Sequence, residues 1–222
     1  MRASVGRGNV IGVNFVGHSF IAKRTSDDPV YALGAMLPDF ASMIGVRLAK
    51  HDHPTLAAGI ADHHRTDDAF HGAPTFVRLC RDEALGLEAA GLGWGASRAV
   101  AHVATELFLD GRLLETPAIE KHYVDAIASL DWVLPALRFE KDGVTRFREL
   151  HERLARYGPP HGYRDPAFVR DRMVQILARR PRLALEEGDA ARLGAYLPGM
   201  SERVRTSADE LLSELQASLG PV

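Results

Sequence analysis

The sequence predicts an all-α fold, a single-domain helical bundle, and three observations predict it. Apolar residues recur at helical spacing, Ala, Leu, Arg and Glu are abundant while β-branched runs are scarce, and prolines open one apolar-periodic segment after another. Proline is tolerated in a first helical turn, where its missing amide would have had no partner.

The elements follow in order. A helix over 14–23 carries Phe15, Val16 and Phe20; a second over 29–48 opens at Pro29 and holds the most apolar stretch of the chain, 33–46. Pro54 and Pro74 open helices over 54–70 and 74–89, and Gly91 marks the break after them. A helix over 96–114 shows an apolar set of Val100, Val103, Leu107, Phe108 and Leu109. Pro117 opens 117–137, Gly143 and Gly158 bracket 144–157, Pro166 opens 166–179, and Gly188 precedes a long last helix over 189–219. The loops at 50–53 and 158–165 are too short to be linkers, and Pro159, Pro160, His161 and Gly162 form a rigid turn in the second. With no internal repeat, 14–219 is expected to be one domain behind a flexible extension, 1–13.

Composition narrows the function classes. A formal net charge of -2 gives no general attraction for nucleic acid, whose binding needs clustered Lys and Arg, so no nucleic-acid partner is expected. Cys80 is the only cysteine, lies in an apolar helical pattern and fits a reducing compartment as a small core residue. No window reaches the ~20 apolar residues of a membrane span and 1–13 lacks a signal-peptide run, so the expected location is cytoplasmic.

Histidine is unevenly placed: seven of ten (His18, His51, His53, His63, His64, His71 and His102) precede residue 103, with acids at helical spacing beside several. Imidazole and carboxylate together suit Zn, Mn and Fe, and mixed sites with open positions activate water. His63 stands one turn from Asp67 and His64 one turn from Asp68, so either pair could chelate an ion, with Arg65 beside them able to hold a phosphate oxygen; ordinary ion pairs on a charged turn fit as well. Arg98, His102, Glu106 and Asp110 recur every four residues along one stripe, which by periodicity alone is the wet face of an amphipathic helix. Asp39 lies between Leu37-Pro38 and Phe40, where an ionised acid needs a partner charge or a metal unless Pro38 turns it to solvent. His18 sits in an apolar segment, which more often marks a hydrogen-bonded core histidine. His51, His53, His122 and His151 are expected to be surface or loop residues.

The order of these pieces resembles the acyl-carrier-protein phosphodiesterase family, which is similar to divergent HD-domain hydrolases. The matching pieces are Asn14-Phe15-x-x-His18, Leu33-Gly34-x-x-Leu37-x-Asp39-Phe40, Gly59-Ile60 leading to His64-Arg65-x-x-Asp68, and His102-x-x-x-Glu106-x-Phe108-Leu109; Arg180 to Leu183 and the last helix resemble the family's C-terminal part. This sequence departs from the pattern at Pro38, where the family has alanine, at His102 and Glu106, where it has aspartates, and at Leu107, where it has histidine.

The resemblance implies an HD-domain-like, metal-dependent phosphodiesterase. Asp39, His64, Asp68, His102 and Glu106 would hold a divalent ion (Mn, Mg, Fe or Zn), with His63 and Asp67 as the pair in the other register. Arg65 would stabilise phosphoryl charge, and whichever of His63 and His18 stays unligated would protonate the leaving oxygen. The implied partner is acyl carrier protein or another phosphodiester substrate; an acidic carrier would need a basic patch, which arginines at 138, 146, 148, 153, 156, 179, 180 and 182 could supply unless they are a solvated face. The opening also resembles zinc-dependent phospholipase C domains, with their early histidine and Leu-Gly-x-x-x-Pro-Asp segment. A non-catalytic helical binding module on the same scaffold is the alternative from another class.

Overall fold

The computed structural model describes residues 15–49, 52–140 and 143–220; the 1–13 extension, Asn14 at the expected start of the first helix, and His51 lie outside the described residues. The architecture is all-α. It consists of α1 (Phe15–Thr25), α2 (Pro29–Met43), α3 (Pro54–Gly72), α4 (Pro74–Ala89), α5 (Trp94–Leu113), α6 (Pro117–Ala128), a single turn α7 (Leu130–Val133), α8 (Gly143–Tyr157), α9 (Pro166–Ala178) and α10 (Asp189–Leu219). Short 3-10 turns follow α7, α8 and α9.

The central element is α5, because its apolar residues extend round most of the helix: Val100, Ala104, Leu107 and Leu109 are all buried. It packs against α1, α4, α9 and α10, and one hydrophobic core runs through all of them. By contrast α8 buries only one stripe, led by Phe147 and Leu150, as an amphipathic surface helix should.

Two devices bring the polar residues of the N-terminal half together. The first is the crossing of α2 and α3, where Gly34 and Gly59 meet. A Cβ on Gly34 would come within 2.5 Å of the Leu56 carbonyl oxygen and one on Gly59 would strike that of Tyr31, so only glycine allows this approach. The second is Asp110 of α5, fully buried, whose carboxylate accepts the Val16 N–H at 3.1 Å and the Gly17 N–H at 2.8 Å. It satisfies orphan donors at the start of α1 and fixes the helix that carries His18.

Two helices end earlier than periodicity predicts. The second stops at Met43 instead of residue 48, because Gly45 takes φ +67 and the Val46 N–H turns back to the Ala41 carbonyl at 3.0 Å. The expected 117–137 helix is interrupted at Ser129, whose hydroxyl donates to the Ala126 carbonyl at 2.7 Å, and Pro135 then stops α-helical continuation. Pro38, in contrast, lies inside α2 without ending it, and Asp39 is only 7% exposed. Cys80 is half-buried, and burial pushes its thiol up to about 12, as suits an inert packing residue. Among the described residues no helix is long and apolar enough to cross a membrane.

Candidate metal centre

Eight polar residues from α1, α2, α3 and α5 line one seam inside the bundle: His18, Asp39, His63, Asp67, His71, His102, Glu106 and Asp110. On α3 the spacing 63, 67, 71 puts three of them on a single face, one turn apart; on α5 the spacing 102, 106, 110 does the same. Within the seam are two groups of three whose donor atoms lie within 4.8 Å of one another, His18 with Asp39 and His63, and His71 with His102 and Glu106.

The first group is buried. His18 Nε2 is 3.4 Å from Asp39 Oδ2 and His63 Nε2 is 3.9 Å from Asp39 Oδ1. The ring tautomers follow from the other nitrogens. His63 Nδ1 donates to the Ala35 carbonyl at 2.8 Å. Thr66 gives its hydroxyl proton to the His63 carbonyl at 3.0 Å, so its oxygen can only accept from His18 Nδ1, 3.3 Å away. Both imidazoles therefore turn Nε2 lone pairs toward a carboxylate. With Asp39 ionised, three acceptors would face one another, and Asp39 Oδ2 is buried without a hydrogen-bond partner. Burial, reinforced by the neighbouring His63, pushes His18 down to about 3; burial, then the charges of Glu106 and Asp67, push Asp39 up to about 8.

The second group is part-open to solvent. His71 lies between two carboxylates, with Nδ1 3.3 Å from Asp67 Oδ1 and Nε2 3.3 Å from Glu106 Oε1. Burial alone would lower its pKa, but these carboxylates outweigh burial and raise it to about 10. Glu106 answers in kind: burial pushes its carboxyl up, and the His102 and His71 imidazoles beside it prevail and hold it below the usual range. His102 Nε2 lies 3.0 Å from Glu106 Oε1 without the alignment of a hydrogen bond, and Glu106 Oε2 is also without a partner. The rings of His71 and His102 stack at 5.0 Å.

These features fit a divalent cation. A tetrahedral site with donors at about 2.0–2.1 Å has edges of roughly 3.4 Å, the scale of the contacts seen in both groups. Each group combines imidazole with carboxylate, the donor chemistry of Zn, Mn or Fe. The outer hydrogen bonds, Ala35 to His63, Thr66 to His18 and Asp67 to His71, are those that orient ligating histidines.

The sequence-predicted residues divide. His18, Asp39, His63, His102 and Glu106 reach the seam. His64 and Asp68 do not: they lie on the exposed side of α3, and the register turned inward is the other one, His63 with Asp67. The reason is the Gly34 and Gly59 crossing, which sets the face that α3 presents to α2. Arg65 also points outward, with its guanidinium on Asp62 at 2.5 and 3.0 Å and on the Leu219 carbonyl at 3.3 Å, so it braces α3 against the end of α10. His71 and Asp110 were not among the expected site residues. The signal for His71 was the third step of the 63, 67, 71 repeat, and for Asp110 the last step of the α5 stripe. That stripe is not a wet face, since Glu106 and Asp110 are buried. His122 and His151, expected to be surface or loop residues, are buried, whereas His53 stands in the loop before α3 as expected and caps that helix, accepting the Leu56 N–H. Family models, curated proteins and solved structures give no match to this chain.

Proposed function

We propose that the chain is a metal-dependent phosphodiester hydrolase whose ion or ions sit in this seam, held by His18, Asp39 and His63 and by His71, His102 and Glu106. The observation that carries this reading is the first group: two imidazoles locked by outer hydrogen bonds so that their lone pairs converge on a buried carboxyl group, the donor set that a divalent cation takes.

A divalent ion bound there would supply Lewis-acid polarisation of a phosphoryl oxygen and activate water. The chain's own residues supply the rest. Ala35 and Thr66 hold the Nε2 atoms of His63 and His18 inward, and Asp67 does the same for His71. Asp110 keeps α1 in register so that His18 meets Asp39. The side chains of His71 and His102 are 32% and 25% exposed, so a phosphodiester enters from that side while the first group stays dry. Arg65 is engaged with Asp62 and the Leu219 carbonyl, on the outer side of α3.

The substrate suggested by the sequence resemblance is the phosphopantetheine ester of an acyl-carrier-protein serine, and the zinc phospholipase resemblance makes a phospholipid the comparison substrate. Elemental analysis of the purified protein, followed by assay with bis(p-nitrophenyl) phosphate, holo carrier protein and phosphatidylcholine in the presence of Mn or Zn, tests the reading. Stoichiometric metal with hydrolysis that chelation abolishes is the expected result. A protein that takes up no Mn, Fe, Zn or Mg and leaves all three esters intact is the binding module instead.

A further inference from the structure

On the other side of α1 from the metal seam lies a cleft of about 650 Å³, within the roughly 300–1,000 Å³ of small-molecule sites. It is bounded by α8, the 158–164 turn and α9, and it shares no residue with either candidate metal group. Its floor is apolar and rigid. Phe15 and Tyr123 are buried there, and Phe15 packs on Phe40 with ring centroids 4.7 Å apart. Tyr163 is fixed because its backbone presses on Gly111, where a Cβ would meet it at 2.7 Å, and because Arg164 is bonded to the Gly111 carbonyl at 3.2 Å and to that of Leu114. Phe168 and Tyr157, 42% and 77% exposed, extend the apolar surface at the rim.

The charged residues that line this cleft are all basic. Arg153, Arg172 and Arg179 border it and no Asp or Glu does. His161 also borders the cleft, its Nε2 3.3 Å from Glu120 Oε1. Arg172 reaches Gln175 at 3.3 Å and lies beside the Tyr163 hydroxyl, and no carboxylate pairs with Arg153 or Arg179 among the described residues. Three guanidinium groups at the edge of an apolar floor, with no carboxylate paired to them among the described residues, call for a ligand that brings both the anion and the apolar body.

We infer that this cleft binds a monomeric single-chain anionic amphiphile, its phosphate or carboxylate head on Arg153, Arg172 and Arg179 and its hydrocarbon on Phe15, Tyr123 and Tyr163. The site is independent of metal chemistry, so it stands or falls separately from the hydrolase proposal. Calorimetric titration of the whole chain with octyl phosphate, octyl glucoside and inorganic phosphate tests it, with and without EDTA. Octyl phosphate is expected to bind at least about tenfold more tightly than the other two, since a charge-assisted contact and a buried chain are each worth more than a factor of ten. EDTA is expected to change nothing. Arg153→Ala with Arg179→Ala, both at exposed positions, is expected to weaken octyl phosphate by about tenfold or more while leaving Tm unchanged. Four results overturn the inference: equal affinity for octyl glucoside, equal affinity for free phosphate, binding that disappears with EDTA, or a double variant that binds as well as the parent. Binding only to vesicles of phosphatidylglycerol, with none to monomeric octyl phosphate, overturns it as well.

Discussion

The two halves of the seam are built from the same residue types and settle into different charge states. In the first, burial overrides everything: His18 falls to about 3, Asp39 rises to about 8, and the neutral forms win. In the second, two carboxylates on either side of His71 override burial, and the ring rises to about 10 as a built-in cation. The difference teaches that imidazole and carboxylate at hydrogen-bond range do not define one electrostatic state. Where His Nδ1 donates to a carbonyl or hydroxyl, as in His63 and His18, burial outweighs the charge of Asp67 and disfavours a second ring proton; where it faces Asp67 directly, the carboxylate prevails. A metal ion entering the first half must displace the proton of Asp39, and one entering the second that of His71.

The largest effect that probes this contrast is expected from Asp39→Asn, which keeps the shape but removes the carboxylate on which His18 and His63 converge. Metal retained after dialysis, read by elemental analysis, should fall by one equivalent, with affinity down by more than about a hundredfold, since even outer partners cost about 10–100-fold. Asp67→Asn should cost the second half its ion, touching the first only through the loss of a more distant charge. It removes the anion that orients His71, weakening that ion by about 10–100-fold while the first equivalent stays. If both variants lose the same single equivalent, the halves are one site and the contrast fails.

The pH dependence sharpens the comparison next. Asp39 moves from its ordinary 3.8 to about 8 on folding and His71 from 6.5 to about 10, so each binds more protons folded than unfolded in those windows. Stability of the chelated protein from Asp39 is therefore lost as pH rises from about 4 to 8, and that from His71 from about 6.5 to 10. His18 works oppositely, but its contribution is complete above 6.5. Metal binding favours the deprotonated ligands, so the gap in Tm between metal-loaded and chelated protein should widen between pH 6.5 and 8; a constant gap would contradict the assigned proton states.

Gly59→Ala is expected to act on the scaffold common to both halves. Its Cβ strikes the Tyr31 carbonyl and forces α2 from α3, costing about 1–3 kcal/mol of stability by overpacking, with a corresponding fall in Tm. The smallest effect belongs to His64→Ala and Asp68→Ala, exposed neighbours in the unused register. Stability should stay within about 0.5 kcal/mol and metal content should not change, and loss of metal in either would restore the register that the fold rejects.

Much of the fold was legible in the sequence, because proline starts, glycine breaks and apolar spacing act locally. The errors of extent, at Met43 and Ser129, arose where a glycine turn or a serine hydroxyl competed with helix continuation over a single residue. The candidate site was legible in part. Asp39 stood out because an acid amid apolar residues is costly wherever it lies, and Glu106 because it followed His102 by one turn. His71 was hidden beside a phenylalanine, and Asp110 looked like one more charge on a solvated stripe.

What the sequence determined by itself is which residues share a helical face: 63 with 67 and 71, 64 with 68, 102 with 106 and 110. That follows from a repeat of about 3.6 residues per turn and needs no partner. Which face turns inward was decided only by the tertiary structure, since both stripes of α3 are polar and hydrophobic patterning cannot choose between them. The choice was made by close contact at Gly34 and Gly59, 47 residues or more along the chain from the acids of α5, because the approach of two backbones depends on what each meets in space and not on its neighbours along the chain.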